Sequence, residues 1–187
     1  MRKIILQEWL SLDGFAANEK DSTDFFASPE LSEYSDKEIF NQMESIDTIL
    51  LGANTYRMFV EFWPGADVKK EIMTEKINST PKIVFSKSLT SAPWGKWPEA
   101  TLVKSDAVEE VRKLKSGSGK DMVLWGSLSL AGSLITAGLI DVLEFRIVPI
   151  ALGKGKPFFR DFGHQVNFKT NEASKYPSGL VLLRYTV

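Results

Sequence analysis

Cysteine is absent from the 187-residue chain, and this absence excludes disulfide bonds, thiolate metal ligands and cysteine nucleophiles. Histidine is nearly absent as well, because His164 is the only one. A single histidine excludes a zinc site built from several histidines, and we expect no metal. A serine-histidine-acid triad would have to use His164, but the chain contains no G-x-S-x-G motif.

The chain also lacks an excess of charge of either sign. Its 23 basic and 24 acidic residues give a formal net charge of -1, which offers no cationic excess for a nucleic acid backbone. No apolar run reaches the length that spans a bilayer. The first apolar run is interrupted at Gln7 and Glu8, unlike that of a signal peptide. We therefore expect a cytoplasmic protein with neither nucleic acid nor membrane as a partner.

What the chain does contain is the composition of a globular domain, with 43% hydrophobic and 25% charged residues. We expect one domain over residues 1–187. Strand-length apolar runs alternate with helical patterns, one of which opens at Ser28 and Pro29. The runs lie at 4–10, 48–51, 82–85, 100–103, 122–125 and 142–150. This alternation predicts an α/β fold whose mostly parallel central sheet has helices on both faces and ends in an antiparallel hairpin.

Two glycines mark junctions between a predicted strand and a predicted helix. In "LLGANTYRMF" Gly52 ends the strand and Asn54 or Thr55 would cap the helix. In "LWGSLSLAGSL" Gly126 ends the strand and Ser127 or Ser129 lies at the helix entrance. Open α/β sheets bind ligands at this end of their strands, where first-turn N–H groups and the helix dipole favour an anion. The pair of junctions therefore suits a pyrophosphate with a further charged arm, although ordinary helix capping explains each junction taken alone.

Two other glycine-rich stretches carry no such prediction. The "SGSGK" stretch at 116–120 resembles a phosphate loop, but the position that a Walker motif reserves for glycine is Leu114. The "ALGKGKPFF" stretch is followed by no helical pattern. We interpret it as a strand-connecting loop, in which Gly153 and Gly155 permit the backbone angles of the crossing.

The order of the motifs resembles that of a known family. From Met1 to Val187 the chain presents "SLDGF", "GANTY", "FSKSL", "WGS" and "GLIDVLEFRIVPIALGKGKPFF" in turn. This order is similar to that of the dihydrofolate reductase-like superfamily, and most of all to stand-alone proteins related to the RibD C-terminal domain, the reductase of riboflavin biosynthesis. The resemblance implies the three-layer fold of that superfamily and NADPH as the cofactor.

The resemblance also implies four places of contact with NADPH. The nicotinamide would lie beside Trp9, Leu12, Asp13, Gly14, Phe15 and Ala16. The pyrophosphate would bind at Gly52, Asn54, Thr55 and Tyr56. The adenosine 2′-phosphate would meet Ser86, Lys87 and Ser88. The later helix would point its amino end at the cofactor through a turn that contains a cis peptide bond in the family, at Trp125, Gly126, Ser127, Leu128, Ser129 and Leu130.

One position departs from the family pattern. Dihydrofolate reductases and many relatives have arginine directly after the glycine of the second strand, whereas this chain has Ala53. Either Arg57 or Lys87 supplies the missing cation, or the preference for NADPH over NADH is less sharp.

The substrate implied by the resemblance is a pyrimidine- or pterin-like heterocycle. A helix carboxylate binds the pterin in dihydrofolate reductases, and the corresponding residue here is Asp36, with Phe40 one turn later. Asp24 is a second candidate, and a solvent-facing role for Asp36 stays open. We predict an NADPH-dependent reductase similar to 5-amino-6-(5-phosphoribosylamino)uracil reductase, and a homodimer as in many family members. The alternatives are a dihydrofolate reductase and an NADP-binding protein without turnover.

Overall fold

The computed structural model describes residues 1–160 and 164–186. Its strands are β1 Ile4–Ser11, β2 Phe15–Ala17, β3 Ile46–Gly52, β4 Lys82–Phe85, β5 Thr101–Val103, β6 Asp121–Trp125, β7 Val142–Val148, β8 Lys156–Pro157, β9 Lys169–Lys175 and β10 Val181–Thr186. Its α-helices are α1 Pro29–Gln42, α2 Ala53–Phe62, α3 Thr74–Ser79, α4 Ala107–Ser116 and α5 Leu128–Thr136. Short 3-10 turns cover Asp24–Phe26, Met43–Ser45 and Trp63–Gly65.

Local sequence signals set the start of two helices. Ser28 is the N-cap of α1, and its hydroxyl accepts a hydrogen bond from the Leu31 N–H at 3.3 Å, with Pro29 as the first helical residue. The Asp106 carboxylate caps α4 by accepting from the Glu109 N–H at 3.0 Å. Each cap satisfies an N–H group that has no partner within the helix. The prediction for the start of α1 is confirmed.

The main sheet contains eight strands in the order β5-β4-β3-β6-β1-β7-β10-β9. All neighbouring pairs from β5 to β7 are parallel, whereas β10 is antiparallel to β7 and to β9. The mostly parallel sheet and the C-terminal antiparallel hairpin are therefore confirmed. A second, two-stranded sheet formed by β2 and β8 was not predicted from the sequence.

Helices cover the sheet on both faces, as predicted. Successive residues of β6 point to opposite faces, so Leu124 packs in a core with Leu134 of α5 and Val123 packs in a second core with Ile39 of α1. The first core lies under α4 and α5, and the second lies under α1, α2 and α3. None of the helices described is long and apolar enough to cross a membrane.

The chain reverses its direction across the sheet between β3 and β6, which are neighbours. From β3 it passes through α2 to β4 on one side, and from β6 it passes through α5 to β7 on the other side. A parallel sheet opens a crevice at such a point, beyond the carboxyl ends of the two strands. Both glycine-marked junctions lie there.

Candidate functional site

The two helix starts at the crevice contact each other. A Cβ atom added to Gly52 would lie 2.1 Å from Ser127 Oγ, and one added to Gly126 would lie 2.5 Å from Thr55 Oγ1. Each junction thus places a hydroxyl side chain in the space that the other junction leaves empty. Glycine is required at both positions because any larger residue would separate the two helix starts.

Neither helix start is capped by a side chain in the described structure. Gly52 is the N-cap of α2 and Ser127 is the N-cap of α5, and neither cap accepts a first-turn N–H. The prediction that Asn54 or Thr55 caps α2 is wrong, because both lie inside the helix and Asn54 Oδ1 accepts from Arg57 at 3.0 Å. The first-turn N–H groups of two helices are thereby left for an external acceptor, with two positive dipole ends beside each other.

The turn before α5 differs from the one implied by the resemblance. The described residues contain no cis peptide bond. The chain instead turns through two successive residues with positive φ, Gly126 at 61° and Ser127 at 59°. Positive φ is costly for serine, so contacts with the neighbouring junction must hold Ser127 in this conformation.

The "FSKS" turn lies beside the first junction. Phe85, the last residue of β4, pairs with Gly52 in the sheet, so Ser86 follows at the same edge. The Ser86 hydroxyl accepts from the N–H groups of Ser88 at 3.3 Å and Leu89 at 3.1 Å, which forms a compact turn with Lys87 exposed. The turn thus presents a cation and two hydroxyls next to the helix starts, a set suited to a phosphate group.

The Asp13 carboxylate connects the loop after β1 to the loop before β8 by hydrogen bonds. Its carboxylate accepts from the Ser11 hydroxyl at 2.6 Å and from the N–H groups of Leu152 at 3.1 Å and Gly153 at 2.7 Å. These hydrogen bonds, with that of Ser11 first, hold the pKa of Asp13 below its usual value. The side chain of Asp13 is therefore committed to loop structure, and only backbone groups of this turn are left for a nicotinamide.

Other predicted cofactor residues turn their side chains away from the crevice. The Tyr56 hydroxyl donates to the Pro93 carbonyl at 2.7 Å inside the core. The Trp125 Nε1–H donates to Gln7 Oε1 at 2.7 Å, and the side chains of Ala16 and Leu130 are buried in the core under α5. Leu12 is exposed, and Gly14 has a φ of 83° that suits the turn. At the four buried positions only backbone atoms remain for a ligand.

The three substrate candidates have different surroundings in the structure. Asp36 is half-buried on α1, where burial raises the pKa of its carboxyl group and the Ser32 hydroxyl and the Arg146 charge oppose that rise. Phe40, one turn later on α1, packs against the second core, and its ring centre lies 5.0 Å from Lys76 Nζ. Asp24 is exposed at the start of its 3-10 turn. Asp36 alone of the three therefore meets a charged group of the sheet.

Sequence reasoning missed a polar network between α1 and the sheet. Its centre is Glu144 of β7, which is buried and accepts from Gln7 at 2.8 Å, Gln42 at 3.2 Å and Arg184 at 2.8 Å. Arg184 also donates to Glu38 of α1 at 2.8 Å. The signal was present in "VLEFRIV", where two charged residues alternate with apolar ones in a strand predicted to be buried.

Glu8, which interrupts the first apolar run of the sequence, is buried in the structure. It lies in β1 with 8% of its surface exposed, and burial raises the pKa of its carboxyl group to about 8, although the Trp9 N–H lowers it. Glu8 therefore holds its proton at neutral pH. No cluster of three or more potential metal ligands occurs within the described residues.

Comparison with known proteins finds relatives of this chain in sequence and in structure. Residues 2–182 match the model of the RibD C-terminal domain. The uncharacterized protein YyaP of Bacillus subtilis is 32% identical over 98% of this chain and 94% of its own length. A putative riboflavin biosynthesis protein of Shewanella has a TM-score of 0.79 at 23% identity, covering 98% of both chains.

More distant structures share the fold. A pyrimidine reductase-like protein of Corynebacterium diphtheriae has a TM-score of 0.63 at 15% identity over all of this chain and 92% of its own. A Thermotoga maritima deaminase and 5-amino-6-(5-phosphoribosylamino)uracil reductase has a TM-score of 0.68 at 15% identity, and 99% of this chain matches 56% of that chain. At these identities the likeness shows the fold alone.

Proposed function

The chain belongs to the RibD C-terminal domain family, and from that premise we propose that it is an NADPH-dependent reductase of a pyrimidine- or pterin-like heterocycle. The observation that carries this proposal is the contact between the two uncapped helix starts, Gly52 against Ser127 and Gly126 against Thr55. A dinucleotide needs adjacent phosphate positions, and the crevice provides adjacent N–H donors.

The residues present fit NADPH on three counts. The first turns of α2 and α5 carry N–H groups without side-chain partners in the described structure, which suits the pyrophosphate. The Ser86 to Ser88 turn supplies hydroxyls and the exposed Lys87 for the 2′-phosphate. Exposed Arg57, held by Asn54 at 3.0 Å, lies one turn into α2 and partly replaces the cation absent at Ala53.

Bound NADPH would supply the hydride, and the protein positions the acceptor and stabilises its charge. Trp9 at the end of β1 offers a half-buried aromatic face beside the predicted nicotinamide position. Asp36 accepts hydrogen bonds from ring N–H groups of the acceptor. Glu8 is adjacent in the same strand, but successive side chains of a strand point to opposite faces of the sheet, so its buried carboxyl group faces away from Trp9. Hydride transfer itself requires no histidine or cysteine of the protein.

A pyrimidine acceptor is supported by the names of two structural relatives, a pyrimidine reductase-like protein and a bifunctional enzyme whose reductase acts on 5-amino-6-(5-phosphoribosylamino)uracil. We propose that aminopyrimidine as the first substrate to test, with dihydrofolate as the alternative. The homodimer and the cytoplasmic location stay predictions.

Two measurements test the proposal. The five tryptophans report NADPH binding through quenching and energy transfer to the reduced nicotinamide, and absorbance at 340 nm reports its oxidation. We expect saturable binding of NADPH and oxidation with the aminopyrimidine ribosyl phosphate. Oxidation with dihydrofolate alone would favour the dihydrofolate reductase alternative, and binding without oxidation would favour a protein without turnover. A flat NADPH titration contradicts the proposal in all its forms.

A further inference from the structure

A row of hydrogen-bonded side chains crosses the neighbouring strands β6, β1, β7, β10 and β9. Its members are register partners in the sheet and comprise Trp125, Gln7, Glu144, Arg184 and Glu172, in that order. The Trp125 Nε1–H donates to Gln7 Oε1 at 2.7 Å, and Gln7 Nε2 donates to Glu144 Oε2 at 2.8 Å. Arg184 donates to Glu144 at 2.8 Å and to Glu172. This cross-strand row begins next to the turn before α5 and ends at the edge of the sheet.

The amide of Gln7 fits the row in one orientation. An indole N–H can only donate and a carboxylate can only accept, so Gln7 must present its oxygen to Trp125 and its nitrogen to Glu144. Gln7 is 1% exposed, and both contacts are buried. Removal of this amide takes one buried partner from the indole and one from the carboxylate, which is costly in the interior. Gln7 therefore holds Trp125 and Glu144 in a fixed relation.

Helix α1 rests on the cross-strand row. Gln42 of α1 accepts from Gln7 at 2.6 Å and donates to Glu144 at 3.2 Å. Glu38, one turn earlier on the same face of α1, accepts from Arg184 at 2.8 Å. The same helix carries the carboxylate proposed to bind the acceptor. The placement of that helix on the sheet thus depends on the hydrogen bonds of the row.

Trp125 connects the row to the two helix starts. It directly precedes Gly126 and Ser127, the two residues with positive φ that lead into α5. Its ring centre also lies 5.9 Å from that of Phe59 in α2. A shift of either helix start would therefore move the indole, and the hydrogen bond at 2.7 Å passes that movement to Gln7.

We infer that Gln7 is a positioning residue, through which cofactor binding at the starts of α2 and α5 and the placement of α1 depend on each other. The inference rests on the proposed function, because it takes the two helix starts as the cofactor site. Coupled events affect each other by the same factor. A substitution of Gln42, which bonds to the row and lies outside the proposed cofactor contacts, therefore weakens NADPH. A row with a purely structural role would stabilise the fold without this dependence.

Nuclear magnetic resonance of the ¹⁵N-labelled full chain follows both ends of the connection. The Trp125 indole N–H and the Gln42 side-chain amide are assigned by their absence in Trp125→Phe and Gln42→Met. We expect NADP⁺ to shift both resonances in the wild type. In Gln7→Met, which keeps the length of the side chain but lacks the amide, we expect the indole to respond still and the Gln42 shift to fall by about fivefold or more.

Calorimetric titration with NADPH measures the reciprocal effect. We expect Gln7→Met and Gln42→Met each to weaken NADPH by about fivefold or more, and the double variant to be no weaker than the worse single variant, because the same connection is already broken. Val111→Ala is the control, since Val111 is buried in the core on the opposite face of the sheet. We expect it to lower the melting temperature and to leave NADPH affinity within about twofold.

The inference is overturned if NADP⁺ binds the wild type without moving the Gln42 amide. It is also overturned if Gln7→Met leaves the Gln42 shift unchanged, or if it loses no more affinity than Val111→Ala at an equal loss of melting temperature. A wild type that binds neither NADP⁺ nor NADPH overturns the proposed function together with the inference.

Discussion

Replacing Gly52 by alanine tests whether the two helix starts form one site. The new Cβ would lie 2.1 Å from Ser127 Oγ and 2.2 Å from Ser127 Cβ, so the start of α2 or of α5 must move. Overpacking of this kind costs about 1–3 kcal/mol, which lowers the melting temperature of a chain of this size by about 2–10 °C. Because the displaced groups are the proposed phosphate donors, we expect NADPH to bind about tenfold more weakly or worse.

The same contact predicts a specific rescue. Ser127→Gly removes both of the atoms that clash with the alanine at position 52. On its own this change is nearly neutral, because it relieves about 1–2 kcal/mol of strain at positive φ and adds about 0.5–1 kcal/mol of backbone entropy in the unfolded chain. The double variant therefore recovers most of the melting temperature and of the NADPH affinity, with a coupling energy of about 1–3 kcal/mol.

Thermal melting and tryptophan fluorescence titration with NADPH measure the two effects on the same samples. Gly65→Ala is the matched control, because an added Cβ at Gly65 meets no atom within 4 Å. If Gly52→Ala behaves like this control in both assays, the contact between the junctions is not as described. If the double variant recovers the melting temperature but not the affinity for NADPH, the two helix starts are in contact but do not bind the cofactor.

Three further predictions follow from charged residues. Lys87→Ala weakens NADPH by about tenfold and NADH by less than about twofold in parallel titrations, whereas Lys175→Ala, an exposed lysine on the far edge strand, changes neither. Burial raises the pKa of Glu8 from an ordinary value of 4.5 to about 8 in the folded state. The protonated carboxyl group therefore contributes fully to the free energy of unfolding below the unfolded pKa. This contribution, up to about 5 kcal/mol, is lost as the pH rises to about 8. Denaturant unfolding between pH 5 and 9 measures this, and we expect the free energy of unfolding of Glu8→Gln not to show the decline. If it declines as much as that of the wild type, the raised pKa does not belong to Glu8. Arg184→Met removes the cation that donates to buried Glu144 at 2.8 Å and leaves it only the more distant Arg146, at 3.6 Å. We expect the free energy of unfolding to fall by about 3 kcal/mol in the same assay, and a loss below about 1 kcal/mol would contradict the network.

The features that sequence predicted well are those that depend on local pattern. Ser28 followed by Pro29 starts α1, because capping and a fixed φ act within one turn. The six apolar runs became strands, because residues buried on both faces of a parallel sheet form continuous apolar stretches. The glycines at 52 and 126 marked the crevice, because glycine at the end of a strand signals a close approach.

The features that sequence missed depend on contacts between distant segments. Gly155 was interpreted as a source of backbone freedom, yet its role is a close approach, because an added Cβ would lie 2.2 Å from the Ala17 carbonyl oxygen. That contact forms the β2–β8 sheet, and neither strand shows it locally. Asp13 likewise acts on Gly153, 140 residues away. Asn54 has a capping side chain, but the helix begins at Ala53, two residues earlier than that role requires.

Buried cations are satisfied differently at the two ends of the strands. At the amino ends of the strands, Arg2 donates to Thr48 at 2.8 Å and to Asp47, and Lys115 donates to the Leu139 carbonyl at 2.8 Å. In the carboxyl-terminal halves of the strands, Arg146 is equally buried but lacks a hydrogen-bond partner in the described residues. The buried cations at the amino ends of the strands, Arg2 and Lys115, are thus hydrogen-bonded within the protein. The first turns of α2 and α5, beyond the carboxyl ends of β3 and β6, likewise keep N–H groups without a side-chain cap in the described structure, and a bound anion would satisfy such groups.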